Sequence, residues 1–377
     1  MRILLISDHA TVSGGASAVA LASAEGLRAK GHQVLVWTPQ EPQSATTNLW
    51  NRADAKRLGK WLQASMDLDR DTIVHVHSWT QHASSSIFPA IRASGARLLV
   101  TLHDYFLGCP NGVFFNHQTG TICRKAPLSL DCMTTHCDKR TYPQKLFRIG
   151  RHIIQQRQIR QTVQHVAVVS AYSHARLQPF LSDTMRVHDV PNPVLVDACP
   201  PATPEKQQQV VMVGAITKGK GVHLASDAAD AVKRRLVFVG DGPECEAIMR
   251  ARPVANVGFT GWVDRDKVLD TIRRSRAVLF PTLWEETEGL SVLEAQACGV
   301  PVIVTEQGAA RHSIVDGVTG LVIQPTAKAL TAALRRLDDD SLVERLGRAA
   351  HARYWQAPRT LSHHIAQLER VYQEVLA

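Results

Sequence analysis

The sequence predicts an α/β protein with two doubly wound parallel sheets. Three observations indicate this class: a length of 377 residues, 45% hydrophobic against 20% charged residues, and short Val, Ile and Leu runs that alternate with helical patterns. At roughly 150 residues per domain, the length favours two domains. Unbroken apolar strands between helices are typical of parallel sheets covered on both faces. The predicted strands lie at 2–7, 33–38, 72–76, 97–101 and 165–169, and then at 210–213, 236–239, 277–280, 301–304 and 320–323.

A proline-rich polar segment at 199–209 interrupts this alternation, as a connection between domains does. We therefore predict an N-terminal domain at 1–190, with a loop-like insertion at about 106–140, and a C-terminal domain at 191–355. Ligands of doubly wound sheets bind at the carboxyl ends of the strands, so a cleft between the two domains is the expected site.

The start of the chain predicts a first core strand rather than a signal peptide. Its apolar run is short, and the polar residues Ser7, Asp8 and His9 follow at once. No stretch of the sequence is predicted to span a membrane. We therefore expect a cytoplasmic protein.

The net charge of +9 is concentrated in one window, because nine Lys or Arg residues stand against two Asp between Arg124 and Arg160. One interpretation is attraction to anionic lipid or to a phosphorylated acceptor, worth about 1 kcal/mol per basic residue near a membrane. The other is a solvated helix face. The helix predicted at 144–162 has an apolar side beside a basic one, formed by Leu146, Ile149 and Ile153 and by Lys145, Arg148 and Arg151. No aromatic platform accompanies the charge, so nucleic acid is disfavoured.

Two carboxylates separated by seven residues flank a strand-to-helix turn in the second domain. A buried strand at 277–280 is followed by a helix at 290–297 that Gly299 ends. Glu286 is therefore expected in the loop and Glu294 about one turn into the helix. A phosphate is favoured at the helix start by the unpaired amides of Gly289, Leu290 and Ser291. Acceptor side chains beside an anion site suit a nucleotide sugar.

Two glycine-rich turns resemble nucleotide-binding motifs but depart from both. The turn after the first strand contains Gly14 and Gly15 without the G-x-G-x-x-G spacing of a dinucleotide site, and a plain tight turn would read the same way. The turn from Gly214 to Lys220 matches G-x-x-x-x-G-K, but Gly221 stands where a P-loop needs Ser or Thr to hold Mg²⁺. What remains is a cationic loop, with Lys218 and Lys220, that can neutralise a diphosphate without a metal.

His103 directly follows a predicted strand of the first domain, at the edge where ligands bind. Its position predicts a hydrogen bond to a substrate hydroxyl, or a role as acid or base. A histidine without function is the alternative, since the chain has 17.

Four of the seven cysteines fall in the insertion, and in a reducing compartment such a cluster suggests structural zinc more than disulfides. Their spacing contains no C-x-x-C, so free thiols are the alternative. The zinc would brace the loop and take no part in catalysis. Its predicted ligands are Cys109, Cys123, Cys132 and Cys137.

The segment from Glu286 to Ile303 closely resembles the E-x7-E signature of retaining GT-B glycosyltransferases. The resemblance extends over nearly the whole chain through Ser13–Ala16, Pro191–Val194, Val239–Pro243, Phe259–Val263 and Asp316–Gly320. It implies two Rossmann-like domains, the first for the acceptor and the second for the nucleotide sugar, with a last helix at 356–377 that crosses back to the first domain.

The resemblance also implies roles for individual residues. Glu294 would bind the ribose, Glu286 the donor-sugar hydroxyls and Lys220 the diphosphate. His103 matches the family's histidine near the transferred sugar. The amides of Leu290, Ser291 and Gly15 would complete the contacts to phosphate and sugar, and the base would be flanked by Gly261, Trp262 and Val263.

The implied reaction transfers a sugar from a UDP-, GDP- or ADP-sugar to an acceptor hydroxyl with retention, and it requires no metal or other cofactor. The expected acceptor is a glycan or a lipid-linked molecule of polysaccharide, glycolipid or cell-envelope synthesis, with peripheral contact to an anionic membrane. Two departures stand out: Ala215 replaces the family's usual Arg, and His312 replaces a common Glu. A sugar-nucleotide epimerase of the same fold and a catalytically silent nucleotide-sugar-binding protein are the alternatives.

Overall fold

The computed structural model describes residues 1–39, 49–65, 72–251 and 256–377. The chain divides into two compact units. The first comprises 1–118, 123–193 and 359–377, and the second comprises 119–122 and 194–358. The sequence places the corresponding boundaries at 190/191 and 355/356.

The first unit contains a six-stranded parallel sheet with the order β2-β1-β3-β4-β7-β8. Its strands are β1 (Arg2–Ile6), β2 (Gln33–Trp37), β3 (Thr72–Val76), β4 (Arg97–Leu102), β7 (His165–Val168) and β8 (Arg186–Asp189). The short strands β5 (Phe115–Asn116) and β6 (Thr121–Ile122) form a separate pair. The helices are Gly15–Ala29, Arg52–Ser65, Ile87–Ser94, Leu130–Thr134, Tyr142–Thr162, Ala171–Leu177 and Leu361–Leu376, with a 3₁₀ turn at Gln178–Phe180.

Both faces of this sheet are buried, as the apolar strands predict. In β1, Leu4 and Ile6 pack into one core cluster and Ile3 and Leu5 into the other, because successive side chains point to opposite faces. The helix Leu361–Leu376 covers the second cluster, to which it contributes Ile365, Leu368, Val371, Tyr372 and Val375.

The second unit repeats the architecture with the order β11-β10-β9-β12-β13-β14, again parallel. Its strands are β9 (Val210–Val213), β10 (Leu236–Val239), β11 (Val257–Phe259), β12 (Ala277–Phe280), β13 (Val302–Thr305) and β14 (Gly320–Ile323). Its helices are Val222–Ala231, Cys245–Ala251, Arg265–Arg273, Leu290–Cys298, Ala327–Arg336 and Asp340–Gln356, with 3₁₀ turns at Pro204–Lys206, Lys218–Lys220 and Ala309–Ser313. The predicted pair of doubly wound parallel sheets is confirmed.

The helix Tyr142–Thr162 differs from its prediction in the direction of its faces. Thr141 caps its start by accepting a hydrogen bond from the Gln144 amide. Ile149 is buried as expected, but Lys145 is buried too, whereas Leu146 and Ile153 are exposed over 46% and 54% of their surfaces. The buried Lys145 ammonium donates to backbone carbonyl groups of the insertion. That contact turns the predicted apolar side partly outward.

No helix in the four described ranges has both the length and the apolar character needed to cross a bilayer.

Candidate active site

The strand-to-helix turn of the second unit has the predicted geometry. Strand β12 is fully buried, and Gly289 starts the helix Leu290–Cys298 with a φ of +109°, in the left-handed region that favours glycine. Gly299 ends the helix with a φ of +75°. The first amides of a helix have no intrahelical partner, so those of Leu290 and Ser291 are available to an acceptor at this helix start.

Lys220 and Glu286 meet at this turn. Strands β9 and β12 are neighbours, so the loops that follow them lie at the same edge of the sheet. The Lys220 Nζ atom lies 2.6 Å from Glu286 Oε1, and both side chains are mostly buried. The Trp284 indole N–H donates to the same carboxylate oxygen. The carboxylate therefore holds the lysine in a fixed place beside the helix start.

Glycines allow this close approach of the two loops. A Cβ atom at Gly219 would collide with the Trp284 ring, and one at Gly221 would collide with the carbonyl oxygen of Pro281. The Gly219 carbonyl also accepts a 2.8 Å hydrogen bond from the Leu283 amide. These contacts explain why the loop follows the P-loop glycine pattern without its hydroxyl residue.

Backbone contacts from a third loop hold Glu286 in place. The Ala309 amide donates to the Glu286 carbonyl oxygen at 3.0 Å. A Cβ atom at Gly308 would lie 2.7 Å from the Glu286 nitrogen, so this glycine is needed for the approach. His312 lies in the 3₁₀ turn that follows.

Glu294 is a buried carboxylate with a cationic partner that the sequence did not predict. Arg265 Nη2 lies 3.1 Å from Glu294 Oε1. Burial raises the pKa of Glu294, and the positive charge of Arg265 opposes that rise. Arg265 also donates to the Leu195 carbonyl oxygen at 2.8 Å.

The remaining predicted residues of this unit are accessible. Lys218 is exposed in the same 3₁₀ turn as Lys220. Trp262 follows strand β11 and is 61% exposed, and Val263 beside it is half-buried. Gly261 takes a φ of +65° at this bend. An exposed indole beside an ordered turn is available for stacking on a planar ligand.

In the first unit, His103 follows β4 as predicted, and it contacts a second histidine. His77 follows the neighbouring strand β3, and its Nδ1 atom lies 3.0 Å from His103 Nε2. Burial, with the nearby His364, lowers the pKa of His103 to about 3. The imidazole is therefore neutral at physiological pH and suits hydrogen bonding better than proton donation. His77 was not predicted as a site residue, although its position directly after a predicted strand could have indicated it.

Asp104, next to His103, was also missed. Burial raises its pKa to about 7, and the partly buried Arg151 opposes the rise. Its carboxylate accepts a 2.9 Å hydrogen bond from the Phe106 amide.

Gly15 begins the helix Gly15–Ala29 of the same unit.

The four insertion cysteines line one small cavity of about 20 Å³, but the predicted zinc site is not supported. Within the described ranges, no group of three or more His, Cys, Asp or Glu side chains is placed to hold a metal ion. Cys109 donates to the Asn111 side-chain oxygen at 3.1 Å, and burial raises its pKa to about 11. The buried ammonium of Lys145 lines the same cavity, and its positive charge opposes the binding of a cation there. The cluster consists of free thiols.

Comparison with known proteins places this geometry in a family. Residues 13–197 match the model for Glycosyltransferase Family 4, and residues 200–353 match that for Glycosyl transferases group 1. D-rhamnosyltransferase WbpZ of Pseudomonas aeruginosa is 36% identical over 153 residues, which span 39% of this chain and 40% of that protein. Phosphatidyl-myo-inositol mannosyltransferase of Mycolicibacterium smegmatis is 26% identical, with 100% of this chain and 94% of the relative aligned.

Solved structures share the fold. Sucrose-phosphate synthase from Thermosynechococcus elongatus superimposes with a TM-score of 0.74 at 19% identity, covering 99% of this chain and 98% of that one. Anabaena HepE in complex with UDP-glucose gives a TM-score of 0.72 at 15% identity, covering 99% and 100%. Fold and sequence together define a GT-B protein.

The chain belongs to the GT-B glycosyltransferases whose two halves are the Family 4 and group 1 domains.

Proposed function

We propose that this protein transfers a sugar from a nucleoside diphosphate sugar to an acceptor hydroxyl with retained anomeric configuration. The observation that carries the proposal is the contact between Lys220 and Glu286 at the ends of neighbouring strands, beside a helix start. A cation and helix amides suit a diphosphate, and a carboxylate suits the sugar hydroxyls. The second unit is the proposed donor-binding domain and the first the acceptor-binding domain.

In this proposal Glu286 binds the donor-sugar hydroxyls, and Lys220 with Lys218 binds the diphosphate. The buried Glu294, oriented by Arg265, accepts from the ribose hydroxyls. Trp262 and Val263 flank the base. The first unit supplies the Gly15 amide and the neutral His103 imidazole, which hydrogen bonds to the transferred sugar.

The proposed reaction breaks the bond between the anomeric carbon and the diphosphate oxygen, and the electron pair leaves with the diphosphate. The acceptor oxygen bonds to the anomeric carbon on the same face, and its proton passes to the leaving phosphate. Negative charge therefore grows on the diphosphate. Lys220, Lys218 and the amides of Leu290 and Ser291 stabilise that charge, which lowers the barrier without a metal.

UDP-glucose, held by the Anabaena structure of the same fold, supports a nucleotide sugar as donor. For the acceptor, the relative named phosphatidyl-myo-inositol mannosyltransferase and the basic window Arg124–Arg160 support a glycan or lipid-linked molecule at a membrane surface. We propose that the protein acts on the cytoplasmic side, in polysaccharide, glycolipid or cell-envelope synthesis.

The proposal is tested by a thermal-shift screen of UDP-, GDP- and ADP-sugars with wild type, Lys220→Ala and the control Lys328→Ala. Lys328 is exposed in the same unit and remote in sequence from the loop. A preferred donor raises the melting temperature of wild type and control by mass action, and Lys220→Ala loses most of that rise. If no nucleotide sugar stabilises the wild type, the proposed donor class is wrong.

Product analysis with labelled donor then separates the alternatives. Transfer leaves the label on an added acceptor. Epimerisation changes the donor without an acceptor, and a silent binding protein leaves the bound donor intact. Either of the last two outcomes would overturn the proposed transfer.

A further inference from the structure

A groove of about 530 Å³ lies in the first unit, beside the carboxyl-terminal half of the helix Tyr142–Thr162. The helix contributes Ile153, Arg157 and Arg160 to its lining. The opposite side is formed by the loop at Leu128 and by the 3₁₀ turn that contains Phe180. No predicted residue of the transfer reaction lines this groove.

The walls of the groove are largely apolar. Leu128, Ile153 and Phe180 line it together with two prolines. Leu128 holds a φ of +63°, a left-handed conformation that costs a residue with a Cβ atom about 1–2 kcal/mol. Such strain persists where the surrounding structure imposes it, and it concentrates at binding sites. An apolar group, such as the upper part of an acyl chain, fits these walls.

The rim of the groove carries positive charge that nothing in the described structure neutralises. Arg157 and Arg160 are exposed, and neither has an ion pair or side-chain hydrogen bond with any described residue. The two acidic residues of the basic window are paired elsewhere: Asp131 lies 2.5 Å from Lys125, and Asp138 lies 2.8 Å from Arg148. No carboxylate lines the groove among the described residues.

Exposed apolar side chains continue from the groove along the same unit. Leu146 lies two turns before Ile153 on the helix, and the adjacent short helix exposes Leu130 over 78% of its surface. The Tyr142 hydroxyl, which donates to the Met133 carbonyl oxygen at 2.8 Å, joins the two helices. Apolar tips beside unpaired arginines are the composition of a surface that lies at a lipid interface.

We propose that this groove binds an anionic phospholipid, with the phosphate between Arg157 and Arg160 and the start of the acyl chains against Leu128, Ile153 and Phe180. The proposal rests on the proposed membrane contact and names the residues that make it. The groove unites both chemistries of such a lipid, whereas inorganic phosphate would leave the apolar walls unused. Guanidinium groups suit the phosphate because they can donate two parallel hydrogen bonds.

The test is flotation of the intact protein with phosphatidylcholine vesicles that contain or lack phosphatidylglycerol, with Arg157→Gln/Arg160→Gln as the variant. We expect wild type to bind the anionic vesicles and the variant to bind roughly thirtyfold more weakly, since each basic residue near such a surface contributes about a factor of five. The matched control is Arg335→Gln/Arg336→Gln, which removes the same charge from exposed positions of the second unit. It should bind like the wild type.

A short-chain phosphatidylglycerol below its micellar concentration then tests the groove itself by titration calorimetry. Ile153→Ser should weaken its binding severalfold, and inorganic phosphate should bind poorly. In the flotation test, Arg157→Gln/Arg160→Gln is the groove variant and Arg335→Gln/Arg336→Gln is the charge control. Equal losses of vesicle binding in the two would overturn the proposal, as would unchanged vesicle binding in the groove variant.

Donor stabilisation in the thermal-shift screen provides a separate readout. The groove variant should keep it, because the donor residues lie in the second unit. Lost lipid binding with retained donor binding supports the groove whether or not transfer is observed. Failure of donor binding in every variant concerns only the proposed reaction.

Discussion

At the scale of single residues, the contact between Lys220 and Glu286 predicts that one substitution has different effects on nucleotide binding and on sugar transfer. The glutamate neutralises the lysine that is proposed to hold the diphosphate. Glu286→Gln therefore frees Lys220, so a nucleoside diphosphate without sugar should bind as tightly as in wild type or more tightly. Sugar transfer should fall by about 10²-fold or more, because donor positioning is lost.

Calorimetric Kd values for the nucleotide and kcat for the donor measure the two effects. Glu246→Gln, an exposed glutamate of the same unit that pairs with Arg250, is the control and should change neither. Weaker nucleotide binding in Glu286→Gln, with the fold intact, would contradict the assignment.

The ion pair between Arg265 and Glu294 predicts that the effect of removing it on the free energy of unfolding depends on pH. Arg265→Gln leaves Glu294 with an unpaired buried charge, and we expect a loss of about 1–2 kcal/mol at pH 7, less than for a fully buried pair because Arg265 is partly exposed. Burial already raises the pKa of Glu294 above its ordinary value of 4.5, and the substitution raises it further.

The difference in the free energy of unfolding between wild type and Arg265→Gln should grow as pH rises through the raised pKa of Glu294. It should shrink below pH 4.5, where the carboxyl is protonated in folded and unfolded chains alike. Urea unfolding of both proteins from pH 4 to pH 8 measures it. A difference that does not vary with pH would mean that the lost hydrogen bond to Leu195, rather than the charge, is responsible.

The residue scale also shows what the sequence can and cannot predict. The positions of Glu286, Glu294 and Lys220 were predictable because each has a fixed offset from a strand or helix end. Arg265 was not, because only the packing of its helix against the helix Leu290–Cys298 brings it to Glu294. The contact of His77 with His103 depends likewise on the pairing of β3 with β4. The described residues do not support the predicted zinc site, and spacing alone does not reveal the buried Lys145 that lines the cavity of the four thiols.

At the scale of elements, the glycine loop before the helix Val222–Ala231 makes a prediction about packing. Gly221 and Gly317 have similar φ values, +77° and +73°, but only at Gly221 would a Cβ atom collide with backbone. Gly317→Ala should therefore cost about 1–2 kcal/mol of stability through strain alone. Gly221→Ala should cost about 3 kcal/mol or more, since backbone must shift as well.

Urea midpoints from tryptophan fluorescence compare the two variants, with equal m-values as the check on two-state behaviour. Similar losses in both would show that the loop after β9 relaxes without cost.

The packing of the last helix, Leu361–Leu376, predicts that truncation of one of its buried side chains leaves a cavity and lowers stability. Leu368 is fully buried against the first sheet, so Leu368→Ala should destabilise the protein by about 2–5 kcal/mol. Gln373→Ala, on the exposed side of the same helix, should change stability by less than about 0.5 kcal/mol. Thermal unfolding of both variants measures the contrast. An effect below about 1 kcal/mol for Leu368→Ala would argue against tight packing of this helix.

The eight central strands and the edge strands β2 and β14 were predictable at this scale, whereas the edge strands β8 and β11 were not. Unbroken apolar runs indicate β1, β3, β9 and β12 almost to the residue. Strands β8 and β11 were missed, because an edge position needs fewer apolar residues and both sequences, Arg-Val-His-Asp and Val-Gly-Phe, contain polar or glycine residues. Apolar runs therefore mark the central strands and also β2 and β14, whereas β8 and β11 are defined only by their pairing with a neighbour.

At the scale of the whole molecule, buried histidines predict sensitivity to acid. Burial lowers the pKa of His103 to about 3 and of His152 and His364 to about 4, below the ordinary value of 6.5. The unfolded chain therefore takes up protons first as pH falls below 6.5, and each histidine costs about 1–2 kcal/mol of stability by pH 5.

Urea midpoints at pH 7.5 and pH 5 measure the loss. His152→Gln should make the stability of the protein less dependent on pH, whereas substitution of the exposed His363 should leave this pH dependence unchanged. Equal stability at the two pH values would contradict the role of these histidines.

All of these histidines belong to the first unit, so we expect that unit to limit stability in acid. The sequence predicted two doubly wound sheets from strand composition, and this level of description was the most predictable. Which histidines are buried was not predictable, because their burial depends on contacts with distant parts of the chain, as for His364 with Ser23 and Pro191.

The packing of helix Leu361–Leu376 onto the sheet of β1, β3 and β4 has a consequence for synthesis on the ribosome. Ile3, Leu5 and Leu99 are made early, yet the surface that shields them is made some 260 residues or more later. Until then the nascent chain presents an uncovered apolar sheet face, which suits binding by a chaperone and favours aggregation if synthesis stalls. The first unit to be translated is thus the last to be completed.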